Sequence, residues 1–434
     1  MSVHRTIVVG GGLAGLSAAH TLLERGSTVL LLDKKPSYPV HFGIDSVGTP
    51  SRPALGSTAL VPQRSRRTSY SDTAASAGPN LARPDLITAL TSNSAPAIAW
   101  LTGKFGVDLS LVSRLGGHSA ARTHRDKSDD ARIAIVKGAR VVKLLEESGR
   151  VAGVVYEVGG ETVTEHGSVI LATGGYAADF STGGLLAKHR PELLALSTTN
   201  GDHATGDGPR LATASRAPRA LHPTGFVDPA SPAAKTKFLA AEALRGVGGL
   251  LLDAHGARFV NEVDRRDVVT AAMQEAAGPV RLVLNAQAAG EVKSHCDFYT
   301  SKGLMKRYAN AAEFAEDAGI PLAQIESTFA SHSAYAAGSE KDPFGKPIFH
   351  NAIYMADGTL HVAIITPVVH YTMGGIIVDA HARVLDDTSA PIAGLFAAGE
   401  VIGGVHGRNR LAGSSLLEAV VFGRLAGESA SVAA

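Results

Sequence analysis

The stretch Thr6–Asp33, TIVVGGGLAGLSAAHTLLERGSTVLLLD, decides how the amino-terminal part of the chain folds. Gly10, Gly12 and Gly15 follow a short apolar run with the spacing GxGxxG, where a strand turns tightly into a helix and backbone amides face a pyrophosphate. Asp33 ends the second apolar run, at the separation where an acid accepts hydrogen bonds from a ribose. The stretch therefore predicts a strand–helix–strand unit that binds a dinucleotide.

The composition limits the remaining possibilities. A chain of 434 residues is long enough for two domains, and a net charge of +1 gives no indication of a nucleic-acid partner. The single cysteine, Cys296, excludes a disulfide framework within one chain, a cysteine-ligated iron–sulfur cluster and a c-type haem. We predict no metal site and no membrane span, an electron donor outside the chain, and a cytoplasmic location, or a mitochondrial or other reducing compartment.

Further elements follow in chain order. Residues Pro39 to Arg67 are rich in Pro, Gly, Ser and Arg and predict a long loop, with ordered structure resuming at Asp72. A helix is predicted from Pro84 to about Gly103, and a β-meander over 139–166. A buried strand then ends in Ala172-Thr173-Gly174-Gly175, which a parallel sheet would place close to the same nucleotide.

The carboxyl-terminal part returns to the pattern of the amino terminus. A strand at 395–398 leads through a glycine loop to a last helix beginning at Ser414-Ser415. The predicted fold is α/β: a Rossmann-like nucleotide-binding domain with a mixed sheet and a β-meander, built from both chain ends (1–220 and 370–434). An inserted α+β capping domain occupies 221–369, with helices expected around 311–317 and 321–337.

Histidine and arginine recur beside glycines or strand ends in this sequence. Because arginine binds carboxylates through paired hydrogen bonds, several such groups in one cofactor cleft indicate a small dianionic substrate. The clusters are His222–Gly225, Glu242–Gly246, Asn261–Asp267, His370–Gly375 and His406–Ser415.

These clusters, together with the two glycine turns, resemble the flavoprotein family that contains soluble fumarate reductases, the flavin subunits of succinate dehydrogenase and L-aspartate oxidase. The resemblance extends over nearly the whole chain and is most specific in 221–267 and 370–427, where it is greatest to fumarate reductases of eukaryotic type. It implies reduction of fumarate to succinate by hydride transfer from the N5 atom of reduced FAD.

The same resemblance assigns roles to individual residues. Arg266 matches the acid that protonates the substrate, and Glu242 and Arg245, one helical turn apart, match a proton relay to solvent. An ordinary ion pair on a helix surface is the alternative interpretation of the last two residues. The residues that match carboxylate-binding positions are His222, His370 and Arg410.

The cofactor contacts follow in the same way. The sequence around His41 lacks the pattern that carries covalently attached flavin in succinate dehydrogenase, so we expect non-covalent FAD. Glu400 resembles the acid that binds the ribityl chain, and Ser415 and Leu416 the backbone near the isoalloxazine carbonyls. The remaining predicted contacts are Gly10, Gly12, Gly15, Asp33, Ala172, Thr173 and Gly174.

Two segments depart from the family pattern. Residues 39–48 lack the glycine-rich half of a loop that touches the flavin, and 126–132 replace a longer helical region. A smaller departure is Ala241, where bacterial relatives often place a threonine. Two alternatives to fumarate reduction therefore stay open: a flavin-poor, catalytically impaired member that acts as a partner protein, and an oxidase or dehydrogenase of another carboxylate such as L-aspartate.

Overall fold

A computed structural model describes residues 5–36, 57–58, 63–78, 82–106, 109, 111–113, 119, 123–125, 136–212, 220–221, 224–355 and 358–432. The strands are β1 Arg5–Val9, β2 Thr28–Asp33, β3 Ser57–Thr58, β4 Leu111–Ser113, β5 Thr123–Arg125, β6 Val136–Lys137, β7 Arg140–Glu147, β8 Arg150–Val158, β9 Glu161–His166, β10 Ser168–Leu171, β11 Ser197–Thr198, β12 Ala220–Leu221, β13 Thr224–Phe226, β14 Leu250–Leu252, β15 Val280–Asn285, β16 Lys306–Tyr308, β17 Leu360–Val369, β18 Tyr371–Thr372, β19 Ile376–Ile377, β20 Arg383–Leu385, β21 Pro391–Ala397 and β22 Ile402–Gly403.

The α-helices lie between groups of these strands along the chain. They are α1 Leu13–Glu24, α2 Gln63–Ala77, α3 Pro84–Phe105, α4 Leu185–His189, α5 Asp207–Leu211, α6 Glu242–Gly246, α7 Arg266–Glu275, α8 Ala286–Glu291, α9 Lys293–Ser301, α10 Ala311–Ala318, α11 Leu322–Ala337 and α12 Ser414–Val432.

The first sheet has the strand order β20-β21-β10-β1-β2-β6 and is parallel except at β20. Val9 of β1 lies opposite both Leu171 of β10 and Leu32 of β2, so the glycine turn and the Ala172 corner leave the sheet at one edge. This arrangement confirms the predicted α/β fold with a mixed sheet, and β7, β8 and β9 form the predicted meander.

The two ends of the chain pack together through α1 and α12. A Cβ atom added to Gly423 would lie 2.4 Å from the carbonyl oxygen of Ala14, so only glycine lets the helices approach this closely. Both helices cover the first sheet, whose core includes Ile7, Ile170 and Phe422. The amino-terminal and carboxyl-terminal segments are therefore parts of one packed unit, which we call the nucleotide-binding unit after the sequence prediction.

A second sheet is built around the long strand β17, which pairs with β11, β13, β15 and β16, while β14 pairs with β15. Two further apolar clusters surround it, one including Leu244 and the other Phe314. The limits of the capping domain at 221 and 369 stay a prediction. Strand β11 lies before the first of these limits and β12 pairs with β18 after the second.

The predicted loop over Pro39–Arg67 is wrong at its carboxyl-terminal end. Helix α2 begins at Gln63, well before Asp72, and β3 lies within the stretch. The buried face of α2 carries small polar side chains such as Ser76, whose hydroxyl donates to the carbonyl oxygen of Asn409 at 3.2 Å. Such a face has no apolar periodicity, which is why the sequence pattern did not predict the helix.

Several sequence predictions fall outside the described residues. These are the loop segment around His41, the substrate contact His222 and the two altered segments 39–48 and 126–132. Within the described ranges, no helix has the length and apolar character needed to cross a bilayer, and no group of three or more His, Cys, Asp or Glu side chains is placed to hold a metal ion.

Candidate active site

The predicted catalytic residues lie on two helices, α6 and α7, that belong to the part of the molecule built around the second sheet. Glu242 and Arg245 lie on α6, and Arg266 is the first residue of α7. Glu242 accepts a hydrogen bond from Nη2 of Arg245 at 3.2 Å through one carboxylate oxygen, and from Nη2 of Arg266 through the other. The three side chains therefore form one connected chain of charges.

This chain of charges is buried. The side chains of Arg245, Glu242 and Arg266 are 6%, 9% and 8% exposed. The interpretation of Glu242 and Arg245 as a helix-surface ion pair is therefore wrong. Burial raises the pKa of Glu242, but the two arginines outweigh it and hold that pKa below its usual value, so the carboxylate stays ionised.

Arg410 reaches the same place from the loop that precedes α12. It is 3% exposed, and its guanidinium lies 4.8 Å from the ring centre of Tyr371. Burial first, and then the neighbouring Arg266, lower the pKa of Arg410 from its ordinary value to about 10. The folded protein therefore holds this cation at a cost in free energy.

Guanidinium nitrogens at this site are left unsatisfied. Nε and Nη1 of Arg266 and Nε of Arg410 are buried and have no hydrogen-bond partner among the described residues. Arg245, Arg266 and Arg410 carry three positive charges against the one negative charge of Glu242, which leaves these four side chains with a net charge of +2. Buried donors with excess positive charge suit an anion with two negative charges.

His370 directly follows β17 and completes the described part of the substrate site. Its Nδ1 lies 2.6 Å from the hydroxyl oxygen of Thr199. Burial, with Arg410 and Arg266 nearby, lowers the pKa of His370 well below its usual value, so the ring is neutral. For His222 no geometry is described; the residues just before it, β12, pair with Tyr371-Thr372.

An ion pair joins the two halves of the site. Asp267, next to Arg266 on α7, lies 3.4 Å from Nη2 of Arg408, which precedes Arg410 in the loop before α12. Asp267 also accepts two hydrogen bonds from Arg265 at 3.1 Å each. The second sheet's layer and the nucleotide-binding unit therefore meet at the site.

The glycine turn after β1 has the geometry that close packing requires. Gly10 has φ +107°, and a Cβ there would lie 2.3 Å from the carbonyl oxygen of Ala172. Gly15 packs directly against the carbonyl oxygen of Gly10, whereas a Cβ on Gly12 would meet no described atom within 4 Å. Asp33 is buried at the end of β2 and accepts a hydrogen bond from the amide of Gly11 at 2.6 Å.

The turn Ala172–Gly175 after β10 and the side chain of Glu400 lie at the edge of the first sheet where the glycine turn also lies. Gly174, after Ala172 and Thr173, has φ +71°, and no described atom lies within 4 Å of its added Cβ. The Thr173 hydroxyl is buried with no partner among the described residues. Glu400 accepts from the amide and hydroxyl of Thr372 at 2.9 and 3.0 Å, and burial, with Glu418 nearby, raises its pKa to about 7.

The comparisons with known proteins agree with this geometry. A family model described as "FAD binding domain" matches residues 5–416. The chain is 44% identical to a fumarate reductase of Schizosaccharomyces pombe, with 98% of this chain and 89% of that protein covered. It is 36% identical to fumarate reductase 1 of Saccharomyces cerevisiae, with 99% of each covered. The chain belongs to the FAD-binding fumarate reductase flavoprotein family.

A solved structure supports the same assignment for this flavoprotein. The open conformation of a flavocytochrome c3 fumarate reductase superposes with a TM-score of 0.74 at 28% identity, covering 99% of this chain and 78% of that one. The residues of the present chain also fit FAD on their own evidence. The open space beside Gly12, the open corner at Gly174 and the unpartnered Thr173 hydroxyl are features that a bound dinucleotide would use.

Sequence reasoning missed two polar residues of this flavoprotein, Glu418 and Thr199. Glu418, on α12 after the predicted contacts Ser415 and Leu416, accepts hydrogen bonds from the Tyr371 hydroxyl and, at 2.8 Å, from Nε2 of His406. A lone acid on an otherwise apolar helix face was the available signal for Glu418. Thr199 gave no such signal, because its partner His370 is distant in sequence.

Proposed function

We propose that this chain reduces fumarate to succinate with FAD as its cofactor. The observation that carries the proposal is the buried set of Arg245, Arg266, Arg410 and Glu242, with its net charge of +2 and unsatisfied guanidinium N–H groups. A dicarboxylate dianion balances that charge and satisfies those donors. The two fungal relatives with matching length are named as fumarate reductases, which supports the same substrate.

The chain's own residues bind and orient the substrate in this proposal. Arg410, His370 and His222 bind the carboxylates, and the burial of Arg410 keeps water from competing for its donors. These donors also stabilise the negative charge that develops on one carboxylate as the double bond is reduced. When bound, FAD supplies the hydride that is added to one alkene carbon.

Arg266 gives a proton to the other alkene carbon, so hydride and proton together convert fumarate to succinate. A guanidinium is a weak acid at neutral pH, so Arg266 has to be reprotonated as it acts. Glu242 is the group that touches Arg266, and Arg245 is bound to the other oxygen of the same carboxylate. We therefore assign Glu242 and Arg245 to the relay that returns the proton.

The finer assignments belong to the proposal as well. FAD is held non-covalently, by the turn of Gly10, Gly12 and Gly15, by Asp33 and Glu400, and by the start of α12 at Ser415-Leu416. Ala172, Thr173 and Gly174 complete that site. The electron donor is external, either reduced flavin or a separate reductase, and the compartment is cytoplasmic or otherwise reducing. Residues 221–369 form the capping domain.

The first experiment is the visible absorption spectrum of the purified protein, recorded before and after denaturation. Flavin bands that leave the protein on denaturation are expected for non-covalent FAD. A folded, colourless protein that takes up no added FAD would refute the proposal. It would favour the partner-protein alternative.

The second experiment is fumarate-dependent oxidation of a reduced dye by Arg266→Gln and by a matched control, Arg265→Gln. The loss of the proton donor is expected to lower kcat by about 10²-fold or more. Arg265 is 34% exposed and bound to Asp267, so Arg265→Gln should retain most of the activity. Activity in Arg266→Gln equal to that of the control would contradict the assigned role.

A further inference from the structure

Three consecutive polar residues, Thr198, Thr199 and Asn200, hold the end of β17. The parallel pairing of β11 with β17 sets Thr198 opposite Val369. Thr198 donates its hydroxyl to the Val369 carbonyl at 3.0 Å, and Asn200 donates its side-chain amide to the carbonyl of His370 at 2.7 Å. The backbone of His370 is therefore fixed before any substrate is bound.

The side chain of Thr199 contacts the His370 ring. Its hydroxyl oxygen lies 2.6 Å from Nδ1, and Thr199 is fully buried. If Nδ1 carried the proton and donated it, the threonine hydroxyl would need another acceptor, and the described residues provide none. If the hydroxyl donates to Nδ1, both groups are satisfied and the ring proton lies on Nε2.

The surrounding charges favour the same arrangement. Arg410 and Arg266 both disfavour a positive charge on His370, and burial acts in the same direction. A neutral ring has one N–H, and the two ring nitrogens point away from each other. With Nδ1 accepting from Thr199, Nε2 is the donor that remains for a ligand.

We propose that Thr199 is a positioning residue that fixes His370 in the neutral tautomer with its proton on Nε2. His370 then donates a hydrogen bond to a substrate carboxylate without adding charge to the site. The excess positive charge stays matched to a dianion. The identity of the ligand rests on the proposed function, whereas the tautomer does not.

The direct test is nitrogen NMR of protein labelled with ¹⁵N in histidine, with the His370 signal assigned by its loss in His370→Gln. The wild-type protein is expected to show protonated Nε2 and unprotonated Nδ1. Thr199→Val removes the hydroxyl at nearly constant volume, and a mixture of tautomers is expected. Thr199→Ser keeps the hydroxyl and should restore the wild-type signal. A proton on Nδ1 in the wild-type protein, or an unchanged tautomer in Thr199→Val, would overturn the proposal.

Binding measurements complete the test. Thr199→Val is expected to weaken succinate binding and raise the KM for fumarate about tenfold, with a smaller change in kcat, while Thr199→Ser stays within about twofold of wild type. Equal loss in both variants would overturn the role of the hydroxyl. Wild-type protein with the expected tautomer but no fumarate turnover would refute the proposed function, and the NMR result would still support Thr199.

Discussion

Replacing Arg410 with methionine is expected to stabilise the ligand-free protein. The fall in the pKa of Arg410 from its ordinary value to about 10 means that the folded protein holds this cation at a cost of about 3 kcal/mol. Methionine removes the charge and keeps most of the volume, but it loses the contact with the Tyr371 ring, which contributes about 1 kcal/mol. The free energy of unfolding should therefore rise by about 2 kcal/mol.

The same change should weaken dicarboxylate binding. A hydrogen bond to a charged group contributes about 1.5 to 3 kcal/mol, so the succinate Kd should rise by roughly 10- to 100-fold. Stability and ligand binding thus move in opposite directions in Arg410→Met. A residue kept only for packing would not produce this combination.

The assay is urea unfolding near pH 7, with and without saturating succinate, on proteins of equal flavin content. Arg424→Met is the matched control, because Arg424 also lies over an aromatic ring, Trp100, at 5.2 Å, but is 23% exposed. It should lose stability slightly and bind succinate normally. If Arg410→Met were destabilised by more than about 1 kcal/mol without ligand, or bound succinate as tightly as wild type, the electrostatic argument would be refuted.

Three further predictions follow from the site. Glu242→Gln should lower kcat for fumarate reduction by about 10²- to 10⁴-fold while flavin and succinate still bind, as measured by steady-state kinetics and dialysis; an unchanged kcat would remove Glu242 from the relay. Gly12→Ala should weaken FAD binding but leave the melting temperature of the flavin-free protein unchanged, because the added Cβ meets no described atom within 4 Å. Gly10→Ala places a Cβ 2.3 Å from a carbonyl oxygen, so it should lower both the melting temperature and the affinity for FAD. Glu400 has a folded-state pKa of about 7 against 4.5, so the folded flavin-free protein retains a proton that the unfolded chain has lost. The free energy of unfolding should therefore fall by about 3 kcal/mol as the pH rises from 4.5 to about 7. Urea unfolding at a series of pH values measures this fall, and Glu400→Gln should remove it.

The sequence predicted those strands, turns and helix starts that are determined by residues close together in the chain. The strand ending at Leu171 and the helix beginning at Ser414 agree with the structure because apolar runs, glycine turns and helix starts are encoded within a few residues. The pattern failed at α2, where hydrogen-bonded small polar side chains replace an apolar face. A burial pattern made of serine and threonine cannot be distinguished from a solvated loop by hydropathy alone.

At the candidate active site, too, the sequence did not predict contacts between residues that are far apart in the chain. The resemblance assigned Glu242, Arg245 and Arg266 to one site, and in the structure the Glu242 carboxylate joins the three side chains; their catalytic roles stay a prediction. The burial of these charges and the contact of Thr199 with His370 depend on strand pairing between distant segments. Sequence spacing carries no information on such pairs, so they become visible only in the folded chain.

The packing of α1 against α12 has a consequence for synthesis. Strand β10 needs β21 as its neighbour, and α1 needs Gly423, so both complete their packing only after a segment far along the chain has been made. The whole layer around β17 emerges in between and can fold while the nucleotide-binding unit is still incomplete. Contacts between segments so far apart in sequence slow folding, and β10 lacks its neighbour β21 during that interval. We therefore expect substitutions of Gly423, which disturb the packing of α12 against α1, to lower the yield of folded protein.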